Sequence, residues 1–338
     1  MADSVSLHIT NSDAVVEALR VAVEGELLPW RDVLYEGPVP CGLDLPMLSR
    51  RRAAAIAAAF GGSPAAVERD FAARDAQLAR FREYERVVLW FEHDLYDALQ
   101  RLQLLAWFSE QDLRGTSLYE IVIDRFPGVE PFYGLGQLTG AQLASLVGRE
   151  APLEPSGLAL AQRGWEAFRA SDPSALEGFV AQAASGLAFV EPALRRWLEE
   201  YPAVGSGLPR SERQVLALLE ARPRDPVSLF RAHQGIEEVP FLGDWSFWRR
   251  VQELAEGEAP LVHATPGPFR APPRAPVDDA FRAQQLALTE LGRSVLAGER
   301  DWLALRHFDR WLGGVHLAPG LASWRWDPAA RALVRVGS

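Results

Sequence analysis

Three ionisable side chains, Glu92, His93 and Asp94, follow directly after the apolar run 87–91. An imidazole that titrates near neutrality beside carboxylates suits general acid–base catalysis. This interpretation makes His93 the acid or base and Glu92 its partner. The alternative is structural, since Asp94 can cap the following helix with Asp97 three residues later. The capping role is favoured for Asp94, which is also retained as a candidate ligand contact, while Glu92 and His93 are the catalytic candidates.

A second polar group, Asn11, Ser12 and Asp13, follows the alternating stretch 5–10 and precedes a predicted helix. Free backbone amides at a helix start favour an anionic ligand group such as a phosphate or a carboxylate. Asn11 is the only asparagine of the chain, which also lacks lysine. Because asparagine is absent everywhere else, we interpret the asparagine at position 11 as a sign that Asp or Ser cannot replace it there. The alternative is an ordinary Asn or Asp helix cap.

A third polar group, Trp30, Arg31 and Asp32, ends the short predicted strand 25–30. The Arg31 guanidinium can clamp a phosphate or a carboxylate, and the Trp30 indole can stack on a flat ring. Glu36 precedes a Gly-Pro-Val-Pro loop that is expected to border the same crevice. The alternative interpretation is a surface ion pair between Arg31 and Asp32, with Trp30 in the core.

Known metal-binding and nucleotide-binding motifs provide little evidence about the function of this chain. Asp13, Glu92, His93 and Asp124 could supply the oxygen-rich ligands that magnesium or manganese prefers, but nothing in their spacing demands a metal. We therefore predict no metal site, and the sequence names no cofactor. Neither the glycine-rich dinucleotide fingerprint nor the phosphate-binding loop motif is present.

The elements that must position these residues alternate between strands and helices. Strands are predicted at 5–10, 25–30, 87–91 and 118–124, with amphipathic helices between them. This order implies parallel crossovers and helices on both faces of one sheet, so residues 1–150 are expected to form a small Rossmann-like α/β domain. Because the carboxyl ends of parallel strands share one edge, the three polar groups are expected to face a shared crevice.

The rest of the chain is predicted to contain two further parts. Residues 151–205 form a helical connector, and residues 206–338 form a winged-helix-like α+β domain with an aromatic C-terminal tail. The presumed third helix of that domain carries Arg249 and Arg250 among aromatic residues, which indicates protein packing more than DNA recognition. A mixed polar and aromatic stripe after His93 indicates a domain interface; its members are Tyr96, Gln100, Gln103 and Trp107.

Composition narrows the class of protein. The chain has 338 residues and a net charge of −10, and residues 205–338 carry 17 arginines against 16 acidic residues, which disfavours nucleic acid as a partner. No apolar run is long enough to cross a membrane, and no basic segment leads into an apolar one at the N-terminus. The single cysteine excludes an internal disulfide. The expectation is a cytoplasmic protein without membrane contact; its oligomeric state is left open.

Three segments carry a family resemblance: residues 7–13 (LHITNSD), 30–40 (WRDVLYEGPVP) and 87–97 (VVLWFEHDLYD). Together they resemble a bacterial family catalogued as a domain of unknown function, over about residues 5–110. Members often begin with a similar strand and an Asn-Gly-Asp turn, whereas here Ser12 replaces the glycine. That change makes the turn less permissive and weakens the case for close backbone contact with a ligand. The resemblance implies membership but no reaction.

Two hypotheses follow from the sequence. The first is an enzyme, a hydrolase or a transferase, or a binding protein, whose crevice takes a small anionic or nucleotide-like molecule. In it Glu92 and His93 form an acid–base pair, and Arg31 and Asn11 clamp the ligand. The second is a ligand-sensing regulator or adaptor whose winged-helix-like domain contacts nucleic acid or a partner protein.

Overall fold

The computed structural model describes residues 6–182, 186–272, 277–306, 308–319 and 323–336. Val5, the first residue of the predicted N-terminal strand, lies outside these ranges. Within them, no helix combines the length and the apolar character that crossing a bilayer requires.

The centre of the fold is a five-stranded sheet in the order β2-β1-β3-β4-β5. The first four strands in that order are parallel, and β5 pairs antiparallel with β4. The middle strand carries the run 87–91, which is buried on both faces as its unbroken apolar sequence predicts. The strands are β1 Ser6–Thr10, β2 Glu26–Pro29, β3 Arg86–Glu92, β4 Ser117–Ile123 and β5 Ala151–Pro152.

Helices cover both faces of the sheet, as strand–helix alternation requires. Alternate residues of each strand point to opposite faces, so Leu89 and Phe91 join one core while Val88 and Trp90 join another. The predicted α/β class with a mostly parallel sheet is therefore confirmed. The helices of this part are α1 Asp13–Ala22, α2 Leu45–Phe60, α3 Pro64–Ala79, α4 Leu95–Ser109 and α5 Gly140–Ala144.

The segment expected to be a separate helical connector shares its core with the sheet. Trp165, Phe168 and Trp197 are buried in the same apolar cluster as Leu89 and Phe91 of β3. The segment therefore completes one side of the sheet domain. Its helices are α6 Pro155–Arg169, α7 Ser174–Gln182 and α8 Val190–Leu198.

A second body has its own apolar cluster, formed by buried residues between Leu208 and Trp302. Three helices precede a two-stranded antiparallel sheet, and a short helix lies between its two strands. An isolated bridge joins Arg224 to Leu286 of the second strand. We call this unit the second body and the sheet with α1–α8 the first body. The elements of the second body are α9 Arg210–Ala221, α10 Pro226–Gln234, α11 Asp244–Ala255, β6 Val262–Thr265, α12 Asp279–Ala283, β7 Gln285–Leu288 and α13 Glu290–Leu296.

The aromatic tail returns to the first body. Phe308, Leu312 and Trp326 are buried in the core of the sheet domain and not in that of the second body. The backbone N–H of Val39 donates to the Gly313 carbonyl at 2.8 Å, which ties the tail to the loop before α2. The tail forms two antiparallel hairpins, made of β8 Arg310–Leu312 with β9 Val315–Leu317 and of β10 Ser323–Asp327 with β11 Ala332–Val336.

Candidate functional site

The neighbouring strands β1 and β3 define the position of the candidate site. They lie side by side, but β1 is followed outward by β2 and β3 is followed outward by β4. The connections therefore leave this point in opposite directions, and ligands of open α/β sheets bind at the carboxyl ends of strands that meet in this way. Asn11 and Glu92 stand at these two strand ends.

A buried hydrogen-bond network joins the two strand ends to the first turn of α4. The Asn11 side-chain amide donates to Asp97 Oδ1 at 2.9 Å, and the backbone N–H of Glu92 donates to Asp97 Oδ2. Asp97 has no solvent-exposed surface. Burial raises the pKa of Asp97 to about 7, although the hydrogen bond from Asn11 works in the opposite direction.

Glu92 and Asp94 complete a cluster of three carboxyl groups with Asp97. Glu92 accepts a hydrogen bond from the backbone N–H of Leu135, and burial, followed by the charges of Asp97 and Asp94, raises its pKa well above the ordinary value. Asp94 caps α4 by accepting the Asp97 N–H at 2.8 Å, and burial raises its pKa as well. The cap predicted for Asp94 is thus present, and the three carboxyl groups hold protons at a pH where exposed acids are ionised.

Gly134 closes over the Glu92 carboxylate. Its φ of +155° lies in the region that favours glycine, and a Cβ placed there would stand 2.3 Å from Glu92 Oε2. The loop that supplies the Leu135 N–H can therefore approach Glu92 only because position 134 has no side chain. This contact fixes the orientation of the Glu92 carboxyl group.

Ser12, Asp13 and Arg31 lie on the solvent side of the same edge. The Ser12 hydroxyl donates to Asn11 Oδ1 at 3.0 Å, and Arg31 pairs with Asp13 at 2.8 Å, with about half of each side chain or more exposed. The Ser12 side chain makes no capping hydrogen bond within the described part of the chain, so the first amides of α1 are left for another acceptor.

Trp30 and Asp32 lie in the interior and not on the crevice wall. The Trp30 indole N–H donates to Gln103 Oε1 at 2.7 Å, and the Arg74 guanidinium covers its ring at 3.9 Å. Asp32 is fully buried and pairs with Arg52 at 2.7 Å. The surface pair considered for Arg31 and Asp32 is therefore replaced by two separate ion pairs, one exposed and one buried.

Glu36 lines a different cavity, of about 280 Å³, between the first and second bodies. Its backbone carbonyl accepts a hydrogen bond from Arg52, which fixes the loop after Asp32. The other charged residues of that cavity include Arg249 and Arg250 of α11. Glu36 is thus associated with the contact between the bodies.

His93 lies one residue beyond β3, and its described ring contacts are with aromatic side chains. Its ring stacks on Phe132 with centroids 6.4 Å apart and meets Phe189 edge-on at 5.9 Å. Burial lowers the pKa of His93 despite the opposing charge of Asp124, so the imidazole is neutral at pH 7. Nδ1 has no hydrogen-bond partner among the described residues, and no contact joins the ring to Glu92 there. The acid–base pairing of Glu92 with His93 therefore stays a prediction that no direct contact supports.

The raised pKa values predict how stability depends on pH. Because the folded pKa of Asp97 is about 7, above the 3.8 of an exposed aspartate, the unfolded chain loses protons first as the pH rises. Stability attributable to the cluster therefore falls between about pH 4 and pH 7. Glu92→Gln keeps an oxygen for the Leu135 N–H and removes one ionisable group, so we expect a shallower fall and a higher melting temperature at pH 8. Thermal unfolding from pH 4 to pH 8 measures this.

Glu17→Gln is the control for that series, because the Glu17 side chain on α1 is 85% exposed. It is expected to reproduce the pH dependence of the wild type. A Glu92→Gln profile parallel to the wild type would show that Glu92 ionises in the folded protein as it does in the unfolded chain.

The sequence pattern did not identify Asp97 as a site residue. The signal that could have identified it is its position on the first turn of the helix that follows Glu92. No comparable signal exists for Gly134 and Leu135, the second of which reaches Glu92 from 43 residues away along the chain. Among the described residues, no group of three or more His, Cys, Asp and Glu side chains is arranged to hold a metal ion. Comparison of the chain with protein-family models and with curated proteins finds no match.

Proposed function

We propose that the carboxyl edge of the sheet binds a small polar molecule with an anionic group, and that Glu92 exchanges a proton with it. One observation carries the proposal: three carboxyl groups are buried together where the connections after β1 and β3 leave in opposite directions. None of the three lies within ion-pair distance of an arginine or a histidine in the described residues.

Burying such a cluster destabilises the fold, so the stability of the protein does not explain why the cluster is present. Each buried carboxyl group is desolvated, and ionised neighbours repel one another. Strongly perturbed pKa values of this kind concentrate at functional sites, and a carboxyl group protonated near neutral pH is suited to general acid catalysis. Hydrolase and transferase reactions, which protonate a leaving group, are the classes that we propose.

The anionic part of the ligand is proposed to lie at the start of α1. The first amides of this helix have no side-chain cap from Ser12, and Arg31 stands beside them in a half-exposed pair with Asp13. A phosphate or a carboxylate can exchange with Asp13 as the partner of Arg31. The strand order β2-β1-β3-β4 supports this placement, because ligands of open α/β sheets bind at the point where connections diverge. Nucleotides and sugar phosphates are therefore the first ligands to test.

A thermal-shift panel of nucleotides, sugar phosphates, amino acids and divalent ions tests the proposal. A ligand at 100 times its dissociation constant is expected to add about 2.7 kcal/mol to the free energy of unfolding. Arg31→Gln is expected to weaken binding of the same compound roughly tenfold, and Glu92→Gln to bind it without turnover. Glu17→Gln, on the same helix as Asp13, is the control. A panel without any stabilising compound, or turnover by Glu92→Gln at the wild-type rate, would contradict the proposal.

The regulator hypothesis is less favoured. In that hypothesis the second body is a winged helix whose α11 enters the major groove of DNA. Here Ser246 of α11 contacts the Tyr35 hydroxyl of the first body at 3.4 Å, and Arg250 is buried in ion pairs. The face of α11 that would read DNA is thus covered. We expect no electrophoretic shift of mixed duplex DNA even at low salt, where nonspecific binding is strongest.

A further inference from the structure

A second cleft, of about 250 Å³, lies between α2, α4 and α6. Two tryptophans, Trp107 on α4 and Trp165 on α6, contribute flat apolar walls, and Leu48 of α2 adds an aliphatic one. Gln103 and Cys41 also line the cleft. Gln103 lies six residues along α4 from Asp97, or about 9 Å along the helix axis, so the cleft is separate from the carboxyl cluster.

Gln103 carries an unused pair of hydrogen-bond donors. Its oxygen accepts the Trp30 indole N–H at 2.7 Å, which fixes which end of the amide is nitrogen. The residue is 3% exposed, and its Nε2 has no hydrogen-bond partner in the described part of the chain. A buried donor without an acceptor is destabilising by about 1–3 kcal/mol. A ligand that presents an acceptor to Nε2 would remove that penalty.

The charges around the cleft favour a neutral or cationic ligand. Asp44, Glu110 and Glu166 line it, against one arginine, Arg169. The Arg169 guanidinium donates to the carbonyls of Pro40 and Leu43 at 2.7 Å and so holds the loop that forms the rim. The net charge of the lining is therefore negative.

We propose that this cleft binds a flat molecule of one or two rings, neutral or cationic, whose ring packs against Trp107 and Trp165. A carbonyl or a ring nitrogen of the molecule accepts from Gln103 Nε2. The volume is equivalent to roughly eight water molecules at about 30 Å³ each, which fits a molecule of that size. This site is additional to the proposed function of the carboxyl edge and does not depend on it.

Cys41 provides the readout, because it is exposed, lines the cleft and is the only cysteine of the chain. The rate at which a thiol-specific disulfide reagent modifies Cys41 is measured with nicotinamide, with the 1-methylnicotinamide cation, and with benzoate as an anionic probe. We expect the first two to slow modification at least fivefold at saturation and benzoate to have no effect. Equal protection by all three, or protection by none, would overturn the proposal.

Two variants assign the contacts. Gln103→Glu keeps an acceptor for Trp30 but removes the donor, so we expect at least tenfold weaker protection by nicotinamide. Glu166→Gln changes an exposed rim residue and is expected to weaken protection by the cation more than by nicotinamide. Glu290→Gln, on α13 with a 93% exposed side chain, is the control. Unchanged protection in a folded Gln103→Glu protein, or an equal effect of Glu166→Gln on both probes, would overturn the assignment of the ligand to this cleft.

Discussion

Arg52→Met is expected to lower the free energy of unfolding by about 3–5 kcal/mol, because it removes the guanidinium that donates to the buried Asp32 carboxylate and leaves only Arg74, at 4.0 Å, as its counter-charge. Both side chains are fully buried, and Arg52 donates to Asp32 Oδ1 through Nε at 3.0 Å and through Nη2 at 2.7 Å. The same guanidinium donates to the carbonyls of Val33 and Glu36, so it also fixes the loop that follows β2. Urea-induced unfolding measures the change.

Arg50→Met provides the matched control, two residues away on the same helix. Its ion pair with Glu68 is formed at 3.2 Å between side chains that are 69% and 49% exposed. Exposed pairs contribute about 0–1 kcal/mol, so this variant is expected to remain near wild-type stability. Adding Asp32→Asn to Arg52→Met is expected to recover part of the loss. Similar losses for Arg50→Met and Arg52→Met would contradict the assignment of the effect to burial.

Glu200→Gln is expected to lower the free energy of unfolding by about 3 kcal/mol at neutral pH, because Glu200 links the two bodies through a buried charge. Its carboxylate pairs with Arg196 of α8 at 2.8 Å, accepts the Ser211 hydroxyl of α9 at 2.7 Å, and pairs with Arg250 of α11. Among the described residues, the substitution leaves Arg250 with Glu212, at 3.5 Å, as its ion-pair partner. Differential scanning calorimetry is expected to show separate transitions of the two bodies.

The pH dependence of this loss has a defined sign. Burial alone would raise the pKa of Glu200, but the charges of Arg250 and Arg196 outweigh it and hold the pKa well below its ordinary value. The stability that Glu200 provides is therefore complete above about pH 5 and lost as the pH falls below the pKa of an exposed glutamate. The difference in the free energy of unfolding between Glu200→Gln and the wild type is therefore expected to be smaller at acidic pH. Glu199→Gln, whose side chain is 17% exposed, is expected to have the smaller effect.

The sheet could be predicted from the sequence because its signals are local. The apolar run 87–91 indicated a strand buried on both faces, and polar residues after it marked the edge where Asn11 and Glu92 meet. The strand pattern does not extend to His93, which lies one residue beyond β3 and packs its ring on Phe132 and Phe189. Local pattern thus located the edge, whereas the contacts of Asn11 and Glu92 with Asp97 depend on residues from separate elements.

The parts that could not be predicted depend on contacts between distant residues. Nothing near Asp32 indicates that its partner is Arg52, 20 residues later on another element. Trp30 could be assigned equally well to a ligand or to the core, and only its hydrogen bond to Gln103, 73 residues away, decides for the core. Nothing in the sequence around Gly134 indicates that the absence of a side chain there makes room for the Glu92 carboxyl group.

The return of residues 308–336 to the first body has a consequence for synthesis on the ribosome. The core that contains Leu89 and Trp197 also needs Leu312 and Trp326, which are translated after the whole second body. At about 5–20 residues per second, the roughly 110 residues between α8 and β8 take on the order of 10 s to emerge. During that interval the second body can fold on its own core while the older, N-terminal part of the chain still exposes apolar surface. Nascent chains stalled before residue 308 should therefore be captured by chaperones through their first half.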